Sequence, residues 1–219
     1  MPRLLFKKTG SAIWISHLDL MRLFQRAFKR AGLPLTHTHG FNPRPSVSIA
    51  LPLSVGVESQ CELLDFELLD CEASNESILE KLNAALVSGV TVLEVYQEAR
   101  KIRELAFLQC NLVLEYDNGV PCDAVEAIQA LFRQSAVVVP KKTKSGIQDQ
   151  NIVEMIKGIT VTQKSDREVK INALVCCQNP TLNPAQISLA VEKYLPAYKP
   201  DFTKCSRIEI FDCKKNVFR

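Results

Sequence analysis

Basic side chains recur at helical spacing near the start of the sequence. Arg22 and Arg26 are four residues apart, and either Lys29 or Arg30 extends the row by another three or four residues. Residues at this spacing lie on one face of a helix. Guanidinium groups form paired hydrogen bonds with phosphate oxygens, so the row predicts contact with a nucleic-acid backbone. The alternative is a solvated helix face whose charges pair with acids from the following segment.

A short loop with two prolines, residues 40–45 (GFNPRP), is the most distinctive local feature. The prolines restrict the backbone, and Asn42 can bond to the backbone of its own loop. Such a loop could present Phe41 and Arg44 rigidly, which suits base stacking and phosphate contact on single-stranded nucleic acid. The alternative is a wide hairpin connection with Phe41 folded into the core.

These features give nine candidate residues for binding RNA or a protein partner. They are Lys7, Lys8, His17, Arg22, Arg26, Arg30, Phe41, Asn42 and Arg44.

The three histidines are a second candidate group. His37 and His39 would share one face of a strand, and His17 could approach them. Three imidazoles could bind zinc or act as acid–base groups, but no acidic or cysteine ligand lies at a suitable spacing. The chain also has no CxxC pair, phosphate-binding glycine loop, dinucleotide fingerprint or nucleophile elbow. We therefore expect no metal, no cofactor and no catalytic residue.

The charge distribution is strongly asymmetric. The net charge of the 219 residues is only +3, but residues 1–50 carry eight Lys and Arg against the single acid Asp19. Residues 51–98 carry ten acids against Lys81 alone. Such segregation is typical of an interaction surface. No apolar run is long enough to span a membrane, and Lys7 and Lys8 stand where a signal peptide needs its apolar core, so we expect a cytoplasmic protein with no membrane contact.

The elements that must position these residues follow from hydrophobic periodicity. We predict a strand at residues 3–8 and a helix that begins after Ser16, with Asp19 as the capping-box acid, and ends at Gly32. Strands at residues 35–39 and 46–53, an extended segment at 61–69, a helix from Ser74 or Asn75 to about residue 86 and a strand at 91–96 follow. This order, β-α-β-β-α-β, is the ferredoxin-like split βαβ pattern.

The second half predicts the same order of elements. Its strands are expected at residues 107–116, 136–140, 159–162, 169–176 and 207–212, and its helices at 123–132 and 184–195. Residues 140–167 are basic, and they form either a second element that binds a nucleic-acid backbone or a solvated loop; we favour the solvated loop. The fold class is therefore α+β, with tandem ferredoxin-like domains with antiparallel sheets at residues 1–100 and 101–219.

An ordered set of motifs in the first third resembles a bacterial family of unknown function, the radical SAM-associated (radical SAM-linked) proteins. The motifs are WISHLDLMR at residues 14–22, GFNPRP at 40–45, ALPL at 50–53 and GVES at 56–59. The resemblance implies an accessory role beside a radical SAM enzyme, because family members occur alone or joined to a cobalamin-binding radical SAM protein. This chain lacks the cluster-binding CxxxCxxC run, so it does not generate the radical itself.

Three functions follow from these observations. The first is a noncatalytic adaptor that binds ribosomal or transfer RNA and acts with a radical SAM enzyme. The second is a docking module for that enzyme, with the acidic residues 51–98 as its contact. The third is an RNA-processing or RNA-modifying enzyme that uses Ser16, His17 and Asp19, because tandem ferredoxin-like folds also occur in RNA endonucleases.

Overall fold

The computed structural model describes residues 2–69, 73–97, 99–143 and 146–219. The chain divides into two compact units. Unit 1 comprises Met1–Glu104 with Phe218–Arg219, and unit 2 comprises Leu105–Val217. Antiparallel strands and α-helices occur in both units, which confirms the mixed α+β class.

Unit 1 contains four strands and two helices. Every strand pair is antiparallel: β1 lies between β4 and β3, and β2 pairs with the end of β3. The elements are β1 (Arg3–Lys8), α1 (His17–Arg30), β2 (Val47–Ile49), β3 (Val57–Phe66), α2 (Asn75–Ala85) and β4 (Val90–Tyr96). A short 3₁₀ helix, Gly10–Trp14, joins β1 to α1.

Helix α1 forms as its sequence predicts. The Ser16 hydroxyl accepts a hydrogen bond from the Asp19 amide at 3.2 Å and donates to the Asp19 carboxylate at 2.7 Å, which satisfies the exposed start of the helix. Phe24 and Phe28 are fully buried on the face of α1 that packs against the core of unit 1. The Phe24 ring packs edge-on against Phe6 of β1, with 4.8 Å between the ring centroids. This packing fixes which face of α1 is left to solvent.

The segment between α1 and β3 is less regular than predicted. Residues 35–39 form isolated bridges, Leu35 to Leu68 and His37 to Pro45, in place of a strand. The predicted strand at residues 46–53 shortens to β2, since Leu51 has a positive φ of 48° and breaks the extended backbone. The result is an open, irregular edge beside the end of α1.

Unit 2 contains a four-stranded antiparallel sheet in the order β10-β5-β9-β8, with two helices. Its elements are β5 (Leu105–Glu115), α3 (Ala124–Leu131), β6 (Val138–Thr143), β7 (Gly146–Asn151), β8 (Ile156–Ser165), β9 (Glu168–Cys176), α4 (Ala185–Tyr194) and β10 (Phe202–Asp212). Burial alternates along β5, where Leu108, Cys110, Leu112 and Leu114 are buried and the residues between them are half-buried.

The interpretation of residues 140–167 as a solvated loop is wrong. Strands β6 and β7 form a hairpin from Val138 to Asn151, and β8 begins at Ile156. Most side chains of β7 are exposed, so buried and exposed residues do not alternate along it and its sequence lacks a clear strand pattern. Lys144, part of that predicted basic loop, lies outside the described residues. Among the helices that the structure describes, none is long and apolar enough to cross a membrane.

Candidate nucleic-acid interface

A groove of about 590 Å³ runs beside the second half of α1. Arg26 and Lys29 of α1 form one wall, and the segment from Gly32 to His37, with Pro45 and Leu69, forms the floor and the other wall. We call it the basic groove. Its floor is apolar because Leu33 and Leu35 are buried against the core of unit 1, and Pro34 lies between them. The lining therefore combines a cationic wall with an apolar floor.

Among the described residues, no acid lies within ion-pair distance of the cations at the basic groove, although the negative charge of Asp19 interacts with Arg26. Arg26, Lys29 and nearby Arg44 are exposed, and none of them takes part in an ion pair among the described residues. Asp70 and Glu72, acids of the segment predicted to pair with this row, lie outside the described residues. An unpaired cation at an exposed site attracts phosphate, since its field is not cancelled locally.

The loop at residues 40–45 projects from the edge of the groove. Its base is closed by Thr38, whose amide donates to the Arg44 carbonyl at 2.8 Å and whose hydroxyl accepts from the Arg44 amide at 3.1 Å. Thr38 thus makes the closing contact that was predicted for Asn42, which is exposed. Phe41 is 103% exposed, so its placement in the core is wrong.

Two of the nine candidate residues serve the fold. Lys8 is 1% exposed, and its ammonium group donates to the carbonyls of Ile13 and Ile15 at 3.1 and 2.8 Å. Burial lowers the pKa of Lys8, and the negative charge of Glu62 partly offsets this. Arg30 donates to the Ala85 carbonyl at the end of α2 at 2.6 Å. Lys8 is not presented to a ligand because its ammonium group is buried, whereas Arg30 is exposed and uses one of its donors on a backbone carbonyl.

The remaining cations of the first helix and strand differ in their surroundings. Arg22 is exposed and forms an ion pair with Asp19 at 3.1 Å. The hydrogen bonds from Ser16 and Arg22 hold the pKa of the Asp19 carboxyl below its usual value. Lys7 is half-buried on β1. Arg26 and Lys29, rather than Arg22 and Arg30, are therefore the cations that meet at the groove.

The histidines do not form one cluster. His37 lines the basic groove near the end of α1, and His17 is the first residue of that helix. Twelve helical residues separate His17 from Lys29, a rise of roughly 18 Å. No group of three His, Cys, Asp or Glu suited to a metal ion occurs in the described part of the chain. The carboxylate of Asp19 is bonded to Ser16 and Arg22, so these residues do not form a hydrolytic triad with His17.

Sequence reasoning missed the apolar floor of the groove. Leu33, Leu35 and Leu69 come from two segments that the Leu35–Leu68 bridge and a hydrogen bond from the Leu69 amide to the Pro34 carbonyl, at 2.8 Å, hold together. The signal that could have favoured Lys29 over Arg30 is its spacing: Lys29 lies seven residues after Arg22, two helical turns along the same face, whereas Arg30 is turned toward α2.

The family model described as "Uncharacterized protein conserved in bacteria (DUF2344)" matches residues 2–184. The chain belongs to the DUF2344 family. This confirms the part of the sequence resemblance that predicted a bacterial family of unknown function. No curated protein matches the DUF2344 chain.

The fold of this DUF2344 member is similar to that of a chain from the crystal structure of a Cbf5-Nop10-Gar1 complex. The TM-score is 0.51 at 10% sequence identity, over 95% of this chain and 48% of that one. A chain from the structure of an H/ACA RNP bound to a substrate RNA containing 2'-deoxyuridine matches with a TM-score of 0.48 at 10% identity, over 94% and 46%. The chain thus spans about half the length of these solved chains.

Proposed function

We propose that this DUF2344 chain is a noncatalytic adaptor that binds single-stranded RNA, ribosomal or transfer, in the basic groove of unit 1 and acts with a radical SAM enzyme. The observation that carries the RNA part is that, among the described residues, Arg26 and Lys29 beside the apolar floor, and Arg44 at the neighbouring loop, form no ion pair. Cations bind the phosphates, and exposed Phe41 offers a face on which a base stacks. The radical SAM partner comes from the sequence resemblance alone.

The same proposal takes each unit as one ferredoxin-like domain. In unit 1 the strand order β4-β1-β3-β2 is the order of a split βαβ unit. In unit 2 the order β10-β5-β9-β8 matches it once the hairpin of β6 and β7 is treated as an insertion after α3.

The test is the affinity of purified protein for short single-stranded RNA, measured by fluorescence anisotropy over a series of salt concentrations. The variant replaces Arg26, Lys29 and Arg44 with alanine. Each phosphate contact on a single strand adds about 0.7 to the slope of log affinity against log salt, so the variant is expected to lose about two from that slope. Its affinity at low salt falls correspondingly.

A matched control removes the same number of positive charges elsewhere. Lys164, Lys199 and Lys204 each pair with a carboxylate of unit 2, and a triple alanine variant of these changes the net charge by the same amount. We expect this control to keep the wild-type salt slope, because its cations are already compensated. If both variants lose affinity equally, net charge and not the groove governs binding, and the proposal fails.

A second candidate function, docking to a partner protein, is supported by exposed apolar side chains at the start of α1. Trp14 and Leu18 are 64% and 67% exposed. The Trp14 ring lies against Gly56, and the Gly56 amide donates to the Ile13 carbonyl at 2.9 Å. Val55, the residue before Gly56, therefore lies close to the same apolar surface. Capture of a purified cobalamin-binding radical SAM protein that is lost in Trp14→Ala/Leu18→Ala, but kept in Leu93→Ala/Leu189→Ala, would favour docking.

A further inference from the structure

The sheet of unit 2 has one buried face and one half-exposed face. Burial alternates along β9 as it does along β5: Val169, Ile171, Ala173 and Val175 are buried, and the residues between them are not. Gln109, Asn111 and Asn172 therefore lie on the half-exposed face, opposite the buried face.

A row of small polar side chains crosses this half-exposed face from edge to edge. Ser206 of β10 is opposite Asn111 of β5, Asn111 is opposite Asn172 of β9, and Asn172 is opposite Thr160 of β8. One such residue in a sheet is ordinary, but the alignment of four across four strands concentrates hydrogen-bonding groups in a single line. This line has no role in holding the helices, which pack on the other face.

The two asparagines of the row form a directed chain of hydrogen bonds with Gln109, which lies two residues before Asn111 on β5. The Gln109 side-chain amide donates to the side-chain oxygen of Asn172 at 3.2 Å, and the Asn172 side-chain amide donates to the side-chain oxygen of Asn111 at 2.7 Å. A chain in this direction leaves an acceptor at the Gln109 end and a donor at the Asn111 end. Among the described residues, neither of these terminal groups has a side-chain partner. Planar ligands with adjacent donors and acceptors satisfy such amides.

A depression of about 340 Å³ lies at the Gln109 end of this chain of amides. Gln109, Thr160 and Asn172 supply its polar lining, Leu174 and Phe211 its apolar side, and Lys215 its cation. This volume is within the usual range for small-ligand sites. The depression thus offers an aromatic ring, an amide edge and a positive charge in one place.

The turn that carries Lys215 is held in a backbone conformation that is uncommon for lysine. Lys215 has a φ of 63°, and the Asp212 carboxylate fixes the turn by accepting from the amides of Lys214 and Asn216, each at 2.9 Å. A non-glycine residue in the left-handed region costs conformational energy that the surrounding contacts must supply. The contacts of Asp212 therefore keep Lys215 at the rim of the depression.

We propose that this depression binds a nucleotide, with its base against Phe211 and Leu174, its base edge on Gln109 and Asn172, and its phosphate on Lys215. An aromatic side chain, amides and a lysine are the groups with which proteins hold unpaired bases and their phosphates. The nucleotide is either part of a single-stranded RNA or free. The RNA source rests on the proposed function, in which the basic groove supplies phosphate contacts that carry no sequence information, and this site adds recognition of a base.

The experiment is a titration of the full-length protein with the four common nucleoside monophosphates, followed by chemical-shift changes of backbone amides. At least one monophosphate is expected to bind saturably and to shift residues of β5, β9 and the turn at 212–216. The Gln109→Ala/Asn172→Ala variant is expected to bind at least about tenfold more weakly, because it loses two hydrogen bonds. Gln163→Ala is the matched control, since Gln163 is an exposed amide of β8 on the other face.

A second variant tests the phosphate contact without disturbing the sheet. Lys215→Asn removes the charge, and asparagine tolerates a positive φ. This variant is expected to weaken binding of the monophosphate but not of the corresponding nucleoside. Loss of nucleoside binding as well, in a variant with an unchanged amide spectrum, would contradict the assignment of Lys215.

Other outcomes separate this inference from the proposed function. If no monophosphate binds saturably, or if inorganic phosphate alone causes the same shifts, the nucleotide site is overturned, and salt-dependent RNA binding at the basic groove can still stand. If a monophosphate binds but short RNA does not compete with it, the ligand is a free nucleotide. If short RNA competes and Gln109→Ala/Asn172→Ala loses base preference, the ligand is a base of RNA.

Discussion

The two units differ in how they use charged side chains. Unit 1 contains the pair of buried Arg3 with Asp65, at 2.5 Å, and the exposed pair of Arg22 with Asp19, whereas Arg26 and Lys29 have no ion-pair partner among the described residues. Unit 2 pairs several exposed lysines with carboxylates, as in Lys164 with Glu168 and Lys204 with Glu115. A paired surface lysine contributes little field, whereas an unpaired one attracts phosphate. This difference supports the proposal that an RNA backbone binds unit 1.

Removal of the carboxylate that pairs with buried Arg3 has the largest expected effect. The Arg3 side chain is 2% exposed, and it bonds to both oxygens of Asp65. Asp65→Asn leaves a buried guanidinium without its counter-charge, which costs about 3–5 kcal/mol of unfolding free energy. Urea denaturation measures this loss. If the unfolding free energy falls by less than about 1 kcal/mol, water reaches Arg3, and this pair does not differ from the surface pairs of unit 2.

Charge reversal at the basic groove comes next. Arg26→Glu/Lys29→Glu replaces two attractive charges with two repulsive ones, so the affinity for single-stranded RNA at low salt is expected to fall on the order of 100-fold. Anisotropy of a labelled RNA gives the affinity. The same reversal at Lys164 and Lys199 of unit 2 changes the formal charge equally and is expected to weaken binding much less. An equal loss would show that the two units do not differ as binding surfaces.

Two tyrosines, one in each unit, contribute to the pH dependence of stability. Burial raises the pKa of Tyr96 and of Tyr116 to about 12, and the Tyr116 hydroxyl donates to the Tyr198 carbonyl at 2.9 Å. An unfolded tyrosine ionises near pH 10, so above that value the folded chain binds more protons than the unfolded chain. Stability is therefore present below about pH 10 and declines as the pH rises toward 12.

Denaturation curves at a series of alkaline pH values check this decline. Tyr96→Phe and Tyr116→Phe should each flatten it, the first through unit 1 and the second through unit 2. A decline that is unchanged in both variants would mean that these hydroxyls ionise freely in the folded protein.

The smallest effect is expected at a surface pair of unit 2. Lys164 and Glu168 are 3.0 Å apart, and their side chains are 49% and 25% exposed. Hydrogen bonding to Lys164 holds the pKa of the Glu168 carboxyl below its usual value, but solvent screens an exposed pair, so it adds little to stability. Glu168→Gln should lower the unfolding free energy only slightly, and added salt should remove the difference. A larger loss would indicate that the pair is part of the fold.

The sequence predicted most elements because their signals are local. Strand β1 and the capped start of α1 were expected at the positions where they occur, and α2 begins after Ser74, one of the two predicted caps. The predictions failed where neighbouring segments decide the conformation. Residues 35–39 lack a continuous partner strand, and the hairpin of β6 and β7 carries mostly exposed side chains that give no clear alternation.

The candidate site was predicted only in part. The spacing of Arg22, Arg26 and Lys29 placed three cations on one helix face, and the two prolines marked the loop that carries Phe41 and Arg44. The sequence could not tell which cations were already in use. Lys8 resembles a surface lysine beside Lys7, yet it is buried, and its ammonium group donates to the carbonyls of Ile13 and Ile15.

The sequence by itself determined the elements whose causes lie within a few residues: the cap at Ser16, the amphipathic face of α1 and the concentration of positive charge before residue 50. Tertiary structure alone decided which charges are paired and which apolar residues form the floor of the basic groove. It also decided that the side chains of Gln109, Asn111 and Asn172 form one chain of hydrogen-bonded amides. These facts depend on strand register and segment docking between residues as much as 63 positions apart. Contacts between residues so far apart in the chain leave no periodic signal in the sequence, because they form only when the strands pair in the folded sheet.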